Sequence, residues 1–167
     1  CTIRDGGLCN DWHFDHDTVQ QIYRALVEAG VEYMEVGYKT NDGHFDRNAV
    51  GPWRFCDEAD LARVVEPGQL KIATMVDIGR VDLSEIPNCP DSLIDVIRIA
   101  HYAHQLDEAL AILGHCLQQG YETFMNVMAV STLAPDDVDR FLMRLARSGG
   151  HNVAIVDSFG ALYPYHV

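Results

Sequence analysis

Thr2-Ile3-Arg4-Asp5-Gly6-Gly7 opens the chain with an apolar pair, then an arginine, an acid and two glycines. The pattern predicts the end of a buried strand, placed at Cys1–Ile3, that turns sharply into a loop. Gly6 and Gly7 allow the backbone a positive φ or a close approach to a ligand. Neighbours in a strand point to opposite faces, so Arg4 and Asp5 share one site only if the strand bends there. A fixed guanidinium suits a developing oxyanion, and an ionised carboxylate beside it suits a hard divalent metal. A purely structural Arg–Asp pair at a strand end fits the same residues.

Working outward, apolar runs recur with barrel-like regularity. Helical spacing of Val19, Ile22, Tyr23, Leu26 and Val27 predicts a helix over Thr18–Ala29, stopped by Gly30. Tyr33–Gly37 is near-continuously apolar, as in a parallel strand covered on both faces. Tyr38–Cys56 reads as a long polar loop, a length that in compact domains often carries function. A short helix over Glu58–Val65, strands at Lys71–Val76 and Asp95–Ala100, and a helix over Gln105–Gln119 follow. A strand at Thr123–Val130, a helix over Asp136–Arg147 behind Pro135, and a strand at Asn152–Asp157 complete the series.

Strand starts near 1, 33, 71, 95, 123 and 152 give βα units of about 30 residues. Two α/β architectures use such units: an open doubly wound sheet and a TIM (β/α)8 barrel. A doubly wound nucleotide fold wants a GxGxxG-type loop after its first strand, and Gly6-Gly7 is not one. Polar residues instead end almost every strand: Arg4 and Asp5, Glu35, Asp77, His101, Ser131 and Asp157. A shared face at the strands' carboxyl ends explains six such strand ends better than six separate turns, so the barrel is expected. Eight units need about 250 residues. The 167 residues hold about six, so a single-domain partial barrel without its seventh and eighth strands is expected. The chain opens on Cys1 inside a strand, so further residues are expected upstream.

The net charge of −13 argues against a nucleic-acid or membrane surface. Five cysteines without a CxxC pair suit neither a disulfide framework nor a zinc site, and fit a reducing cytoplasm. Cys9 and Cys56 read as apolar fillers. No apolar run reaches the roughly 18 residues of a membrane span, and no signal-peptide pattern is seen.

Three motifs narrow the reading: Thr2-Ile3-Arg4-Asp5-Gly6-Gly7, Tyr33-Met34-Glu35-Val36-Gly37-Tyr38 and Val156-Asp157-Ser158-Phe159-Gly160-Ala161. Together they resemble the DRE-TIM metallolyase superfamily, which includes HMG-CoA lyase, isopropylmalate synthase and 4-hydroxy-2-oxovalerate aldolase. Val96-Ile97-Arg98-Ile99-Ala100-His101 and Met128-Ala129-Val130-Ser131 are similar to segments of the aldolases in particular. The resemblance implies a carbon–carbon lyase that needs Mn2+ or Mg2+ and acts through an enolate next to the carbonyl of a 2-oxo acid, with pyruvate as the enolate partner. It implies Arg4 as the enolate-stabilising residue and Asp5 as a metal ligand. Glu35, His101, Ser131 and Asp157 are candidate substrate contacts, each with a structural alternative: a partner for Arg4, a cap, an ST turn, a helix cap. A small-molecule substrate is implied, and either a homo-oligomer or a partner dehydrogenase.

Three departures stand out. Leu8 occupies the place of the aldolases' acid/base histidine, for which His13 or His16 could substitute. The family's His-x-His metal pair lies on a seventh strand, and no His-x-His occurs in this chain. The polar residues of an eighth strand are absent as well. The chain alone is therefore expected to be inactive or nearly so, and its full-length parent an aldolase. An acyl-CoA-dependent Claisen synthase or lyase, and a degenerate barrel without catalysis, are the alternatives.

Overall fold

The structure is a computed structural model and describes residues 2–149 and 152–163. Its order is α1 (Thr2–Asn10), α2 (His16–Glu28), β1 (Tyr33–Tyr38), α3 (Glu58–Leu61), β2 (Lys71–Asp77), β3 (Val96–Tyr102), α4 (Leu106–Gln118), β4 (Glu122–Met128), α5 (Pro135–Arg147) and β5 (Asn152–Ile155). The strands form one parallel sheet in the order β1-β2-β3-β4-β5. A doubly wound sheet reverses its strand order at a switch point. This one never reverses, which is the winding of a barrel wall.

Side chains on the sheet show how far it curls. Tyr33 Oη of β1 donates to Glu122 Oε1 of β4 at 3.0 Å, and the Tyr33 and Phe124 rings meet edge to face at 6.2 Å. Two strands lie between, so a flat sheet would hold these backbones about 14 Å apart. The contact requires a strongly concave inner face. Residues alternate across it. Ile97, Ile99 and His101 of β3 and Thr123, Met125 and Val127 of β4 are buried on the outer face, beneath the helices. Arg98, Ala100 and Tyr102 share the inner face with Phe124, Asn126 and Met128.

The expected first strand is not one. Cys1 lies outside the described residues, and Thr2 and Ile3 begin α1, which packs along β1. Two glycines in nine residues cost a helix about 1 kcal/mol each relative to alanine. Packing holds it instead. Ile3 and Gly7, one helical turn apart, are buried, and the Trp12 ring lies so close to Gly7 that a Cβ there would fall 2.0 Å from Trp12 Cδ1. A helix also satisfies its own backbone hydrogen bonds, whereas a strand needs a neighbour on which to spend them. Among the described residues the count is five strands where six were expected.

The other boundaries shift for local reasons. α2 starts at His16 because Asp15 caps it, accepting from the Thr18 amide. The strand expected to reach Val130 stops at Met128, because Ala129 turns left-handed (φ 56°) and gives its amide to Ser158 Oγ. No helix among the described residues is long and apolar enough to cross a membrane.

Candidate functional site

The concave face carries a cluster of buried charge around Glu35. Arg4, projecting from α1, donates from Nε to Glu35 Oε2 at 2.9 Å, and its Nη1 meets Asp5 Oδ1 at 2.7 Å. Arg98 Nη1 of β3 lies 2.7 Å from Glu35 Oε1, an ion pair without hydrogen-bond alignment. Glu35 is buried, and both guanidinium groups are mostly so. Burial works against the charge on Arg4, but Glu35 outweighs it and raises the Arg4 pKa. A bulge between Glu35 and Gly37 shifts the β1 register, and Gly37 is required there: a Cβ would meet the Trp53 carbonyl at 1.9 Å. Two guanidinium groups thus converge on one buried carboxylate, with Asp5 pairing Arg4 at the more exposed side.

A second cluster lies beside it. Arg54, in the 3-10 turn Pro52–Arg54, is 2% exposed and boxed by the rings of Tyr38, Phe45 and Trp12 at 4.0, 4.1 and 4.7 Å. Its Nη2 meets Asp77 Oδ2 at 3.3 Å, and Arg80 Nη1 meets the same oxygen at 3.3 Å. Burial lowers the Arg54 pKa against the pull of Asp77. Asp77, Arg80, Ala100, Tyr102, Gln105 and Met128 line an open recess of about 270 Å³ at the carboxyl ends of β2, β3 and β4.

The sequence-derived candidates separate. Arg4, Asp5 and Glu35 come together. Ser131 and Asp157 come together at the ends of β4 and β5. The amides of Leu162 and Ala161 hold the Asp157 carboxyl below its usual range, with a smaller contribution from Ser131, whose hydroxyl is not aligned for a hydrogen bond. His101 joins neither group. It is fully buried on the outer face, 5.6 Å from the Phe141 ring of α5, with Nδ1 donating to the Tyr102 carbonyl at 3.0 Å. Strand alternation carries it outward while Arg98 and Ala100 point in. Leu8 is exposed, His13 Nε2 lies 3.3 Å from the Ala49 carbonyl, and His16 Nε2 lies 2.8 Å from Asp60 Oδ1, so neither histidine enters the Arg4 cluster.

Sequence reasoning missed Arg98 and Arg54. Arg98 had a signal: it is the one charge in the apolar run Val96–Ala100. Arg54 stands among aromatics, but the ring box is built from Trp12, Tyr38 and Phe45 and leaves no local pattern.

The donors for a metal are incomplete. Among the described residues no three His, Cys, Asp or Glu side chains converge. Asp5, the expected ligand, is about half exposed and paired with Arg4. The residues present do not fit a divalent-metal site.

Comparison with known proteins supports the motif reading. A protein named 4-hydroxy-2-oxovalerate aldolase from Geobacillus genomosp. 3 is 28% identical over 168 residues, covering 99% of this chain and 49% of its own. The likeness to these aldolases runs the length of the chain. An oxaloacetate decarboxylase from Mycobacterium tuberculosis is 24% identical over 169 residues, covering 98% of this chain and 48% of its own. The solved N-terminal domain of a protein assigned as an aldolase, from Bacteroides vulgatus, superposes with a TM-score of 0.80 at 25% identity, covering 99% of this chain and 55% of that one. A truncated 3-deoxy-D-arabino-heptulosonate 7-phosphate synthase from Thermotoga maritima shares the fold alone, at TM-score 0.52 and 12% identity, covering 84% of this chain and 45% of that one. No family model matches. The chain spans about half the length of the curated relatives it matches. The α/β class and the barrel-wall geometry expected from the sequence are borne out.

Proposed function

We propose that the chain is the N-terminal half of a carbon–carbon lyase that forms or cleaves the C3–C4 bond of a 2-oxo acid, one bond removed from its carbonyl. Cleaving a 4-hydroxy-2-oxo acid and decarboxylating oxaloacetate both leave the bonding electrons on C3 of pyruvate, delocalised as an enolate. The observation that carries the reading is Arg4, whose guanidinium is mostly buried against Glu35 on the inner face. A preorganised cation in a water-poor site stabilises a developing enolate oxygen more than it does the neutral ketone, which is how it lowers a barrier. Supporting the half-barrel reading, Val153 and Ile155 on the outer face of the edge strand β5 are 42% and 47% exposed, apolar surface that further barrel units would cover.

In this reading the substrate is a small 2-oxo acid. Mn2+ or Mg2+ is proposed as the cofactor of the full-length protein, with most of its ligands supplied by residues other than the described ones. Asp5 would be the donor that this chain offers to it. Ser131 and Asp157 are proposed to contact the substrate from the β4–β5 end. His101, facing the helices, is proposed only as a support of β3. A binding barrel without catalysis is the second reading, favoured by the exposed Leu8 in the place of the aldolases' histidine.

Pyruvate release from 4-hydroxy-2-oxo acids and from oxaloacetate by the full-length protein, with added Mn2+, tests this. Arg4→Lys should lower kcat by roughly 10²–10³-fold. Unchanged turnover in Arg4→Lys would overturn the assignment, and no turnover on either substrate class would favour the binding barrel.

A further inference from the structure

The geometry points to Arg54 as a positioning residue for Arg4, acting through Trp12 and Tyr38; the inference rests on the lyase reading above. The two arginines never touch but share two rings. The Arg54 guanidinium lies 4.0 Å from the centre of the Tyr38 ring and 4.7 Å from that of Trp12. On the other side, Trp12 Nε1 donates to the Arg4 carbonyl at 3.0 Å, and the Arg4 guanidinium lies 5.9 Å from the Tyr38 ring. Trp12 and Tyr38 themselves meet edge to face at 5.5 Å. The two guanidinium groups and the two rings thus form one connected cluster, with Arg54 at its buried end and Arg4 at the inner face.

The backbone explains why such a clamp is needed. α1 ends in two consecutive left-handed residues, Asp11 (φ 53°) and Trp12 (φ 61°), and neither is glycine. Such conformations persist only where the surroundings enforce them. Here the 38–56 loop does so. Gly51 donates its amide to the Asp11 carbonyl at 2.7 Å and lies so close to Trp12 that a Cβ would sit 2.0 Å from its carbonyl oxygen. Arg54, three residues on, packs on the Trp12 ring at 4.7 Å. The turn sets the axis of α1, and the axis sets the reach of Arg4 to Glu35.

Arg54 is also under-satisfied for so buried a cation. Its Nε has no hydrogen-bond partner and its single carboxylate contact is a long one. A residue kept only for stability would be better served by an apolar side chain. The ring box is what the guanidinium provides and a methionine would not.

The two tryptophans give the test an internal control, because Trp53 Nε1 donates to the Phe14 carbonyl at 2.9 Å and not to α1. In Arg54→Met, hydrogen exchange at the Trp12 indole should quicken by about tenfold or more while that at Trp53 holds. In the full-length lyase the same variant should lower kcat by on the order of 10–100-fold with KM within about threefold, the signature of a displaced catalytic group. Arg54→Lys, which keeps the charge but not the flat guanidinium, should recover part of the loss, and it carries the test if Arg54→Met does not fold. Because the effect passes through Arg4, Arg54→Met added to Arg4→Lys should slow the enzyme by no more than about twofold further. Full kcat in Arg54→Met, equal quickening at both indoles, or additive losses in the double variant would overturn the positioning role and leave the lyase reading standing. Full turnover in Arg4→Lys would overturn both.

Discussion

Glu35 holds Arg98 at 2.7 Å on one carboxylate oxygen and Arg4 at 2.9 Å on the other, joining β3 to α1 across the inner face. The pairing ties the helix that replaces the expected first strand to the centre of the sheet. It also fixes which way Arg4 points, since its second contact, Asp5, travels on the same helix and cannot orient it against the sheet.

Removing Glu35 should therefore be felt in stability as well as in function. Glu35→Ala would leave two guanidinium groups facing each other with no anion between them. Losing one partner of a fully buried pair costs about 3–5 kcal/mol. Both arginines keep some contact with water, so a loss of about 2 kcal/mol is expected. Glu35→Gln, which retains the shape and an acceptor oxygen, should lose less. Urea unfolding of the two variants checks the order, and equal stability of Glu35→Ala and the parent would mean that the bridge is not formed.

The two glycines of α1 should respond with opposite signs. Alanine at either gains about 1 kcal/mol of helix propensity. At Gly6 the new Cβ meets only the ring tip of Phe14, at 3.1 Å, and that partly exposed ring can yield. At Gly7 it would fall inside the Trp12 ring, 2.0 Å from Cδ1. Gly6→Ala should be neutral or slightly stabilising, and Gly7→Ala should lose about 1–3 kcal/mol by overpacking. Thermal unfolding distinguishes this from a strand-and-loop arrangement of residues 2–7, in which Gly6→Ala would have no helix propensity to gain.

That segment marks where sequence reading ended. The five observed strands all lie where apolar runs and their glycine stops placed them, because buried parallel strands are written in consecutive residues. Thr2–Gly7 has the same local composition, yet it folds as a helix because Trp12 packs on Gly7 and Arg4 reaches Glu35, contacts 5 and 31 residues away in sequence. The candidate site shows the same divide. Arg4, Asp5 and Glu35 were legible from motif, and the structure brings them together. His101, a candidate substrate contact by its strand-end position, lies in the outer layer, because that position says nothing about which face is inward. Arg98 sat in plain view in β3, but its worth depends on a carboxylate two strands away.

Buried His101 predicts a pH dependence of stability. Burial lowers its pKa in the folded protein, opposed only by the bond to the Tyr102 carbonyl. In the unfolded chain it titrates near its ordinary value of about 6.5. As pH falls through that value the unfolded state takes up the proton first, so stability drops on acidification until the folded-state pKa is passed. His101→Asn keeps a donor for the Tyr102 carbonyl without the titration. The slope of Tm between pH 7 and pH 5.5 should be shallower in that variant than in the parent; an unchanged slope would assign the acid sensitivity elsewhere.

Asp5 supplies the sharpest test of how much of a metal centre these 167 residues contain. Its carboxylate is half in solvent, shares its charge with Arg4, and belongs to no group of three donors among the described residues. Useful affinity for a hard divalent cation takes several oxygen ligands, and sites with few charged ones bind only at about 10⁻⁴–10⁻³ M. Mn2+ titrated into this chain and followed by electron paramagnetic resonance should therefore show no binding tighter than about 1 mM, and Asp5→Asn should leave the titration unchanged. Micromolar binding abolished by Asp5→Asn would instead require the Arg4–Asp5 pair to open and α1 to rearrange, since only then could further donors reach that carboxylate.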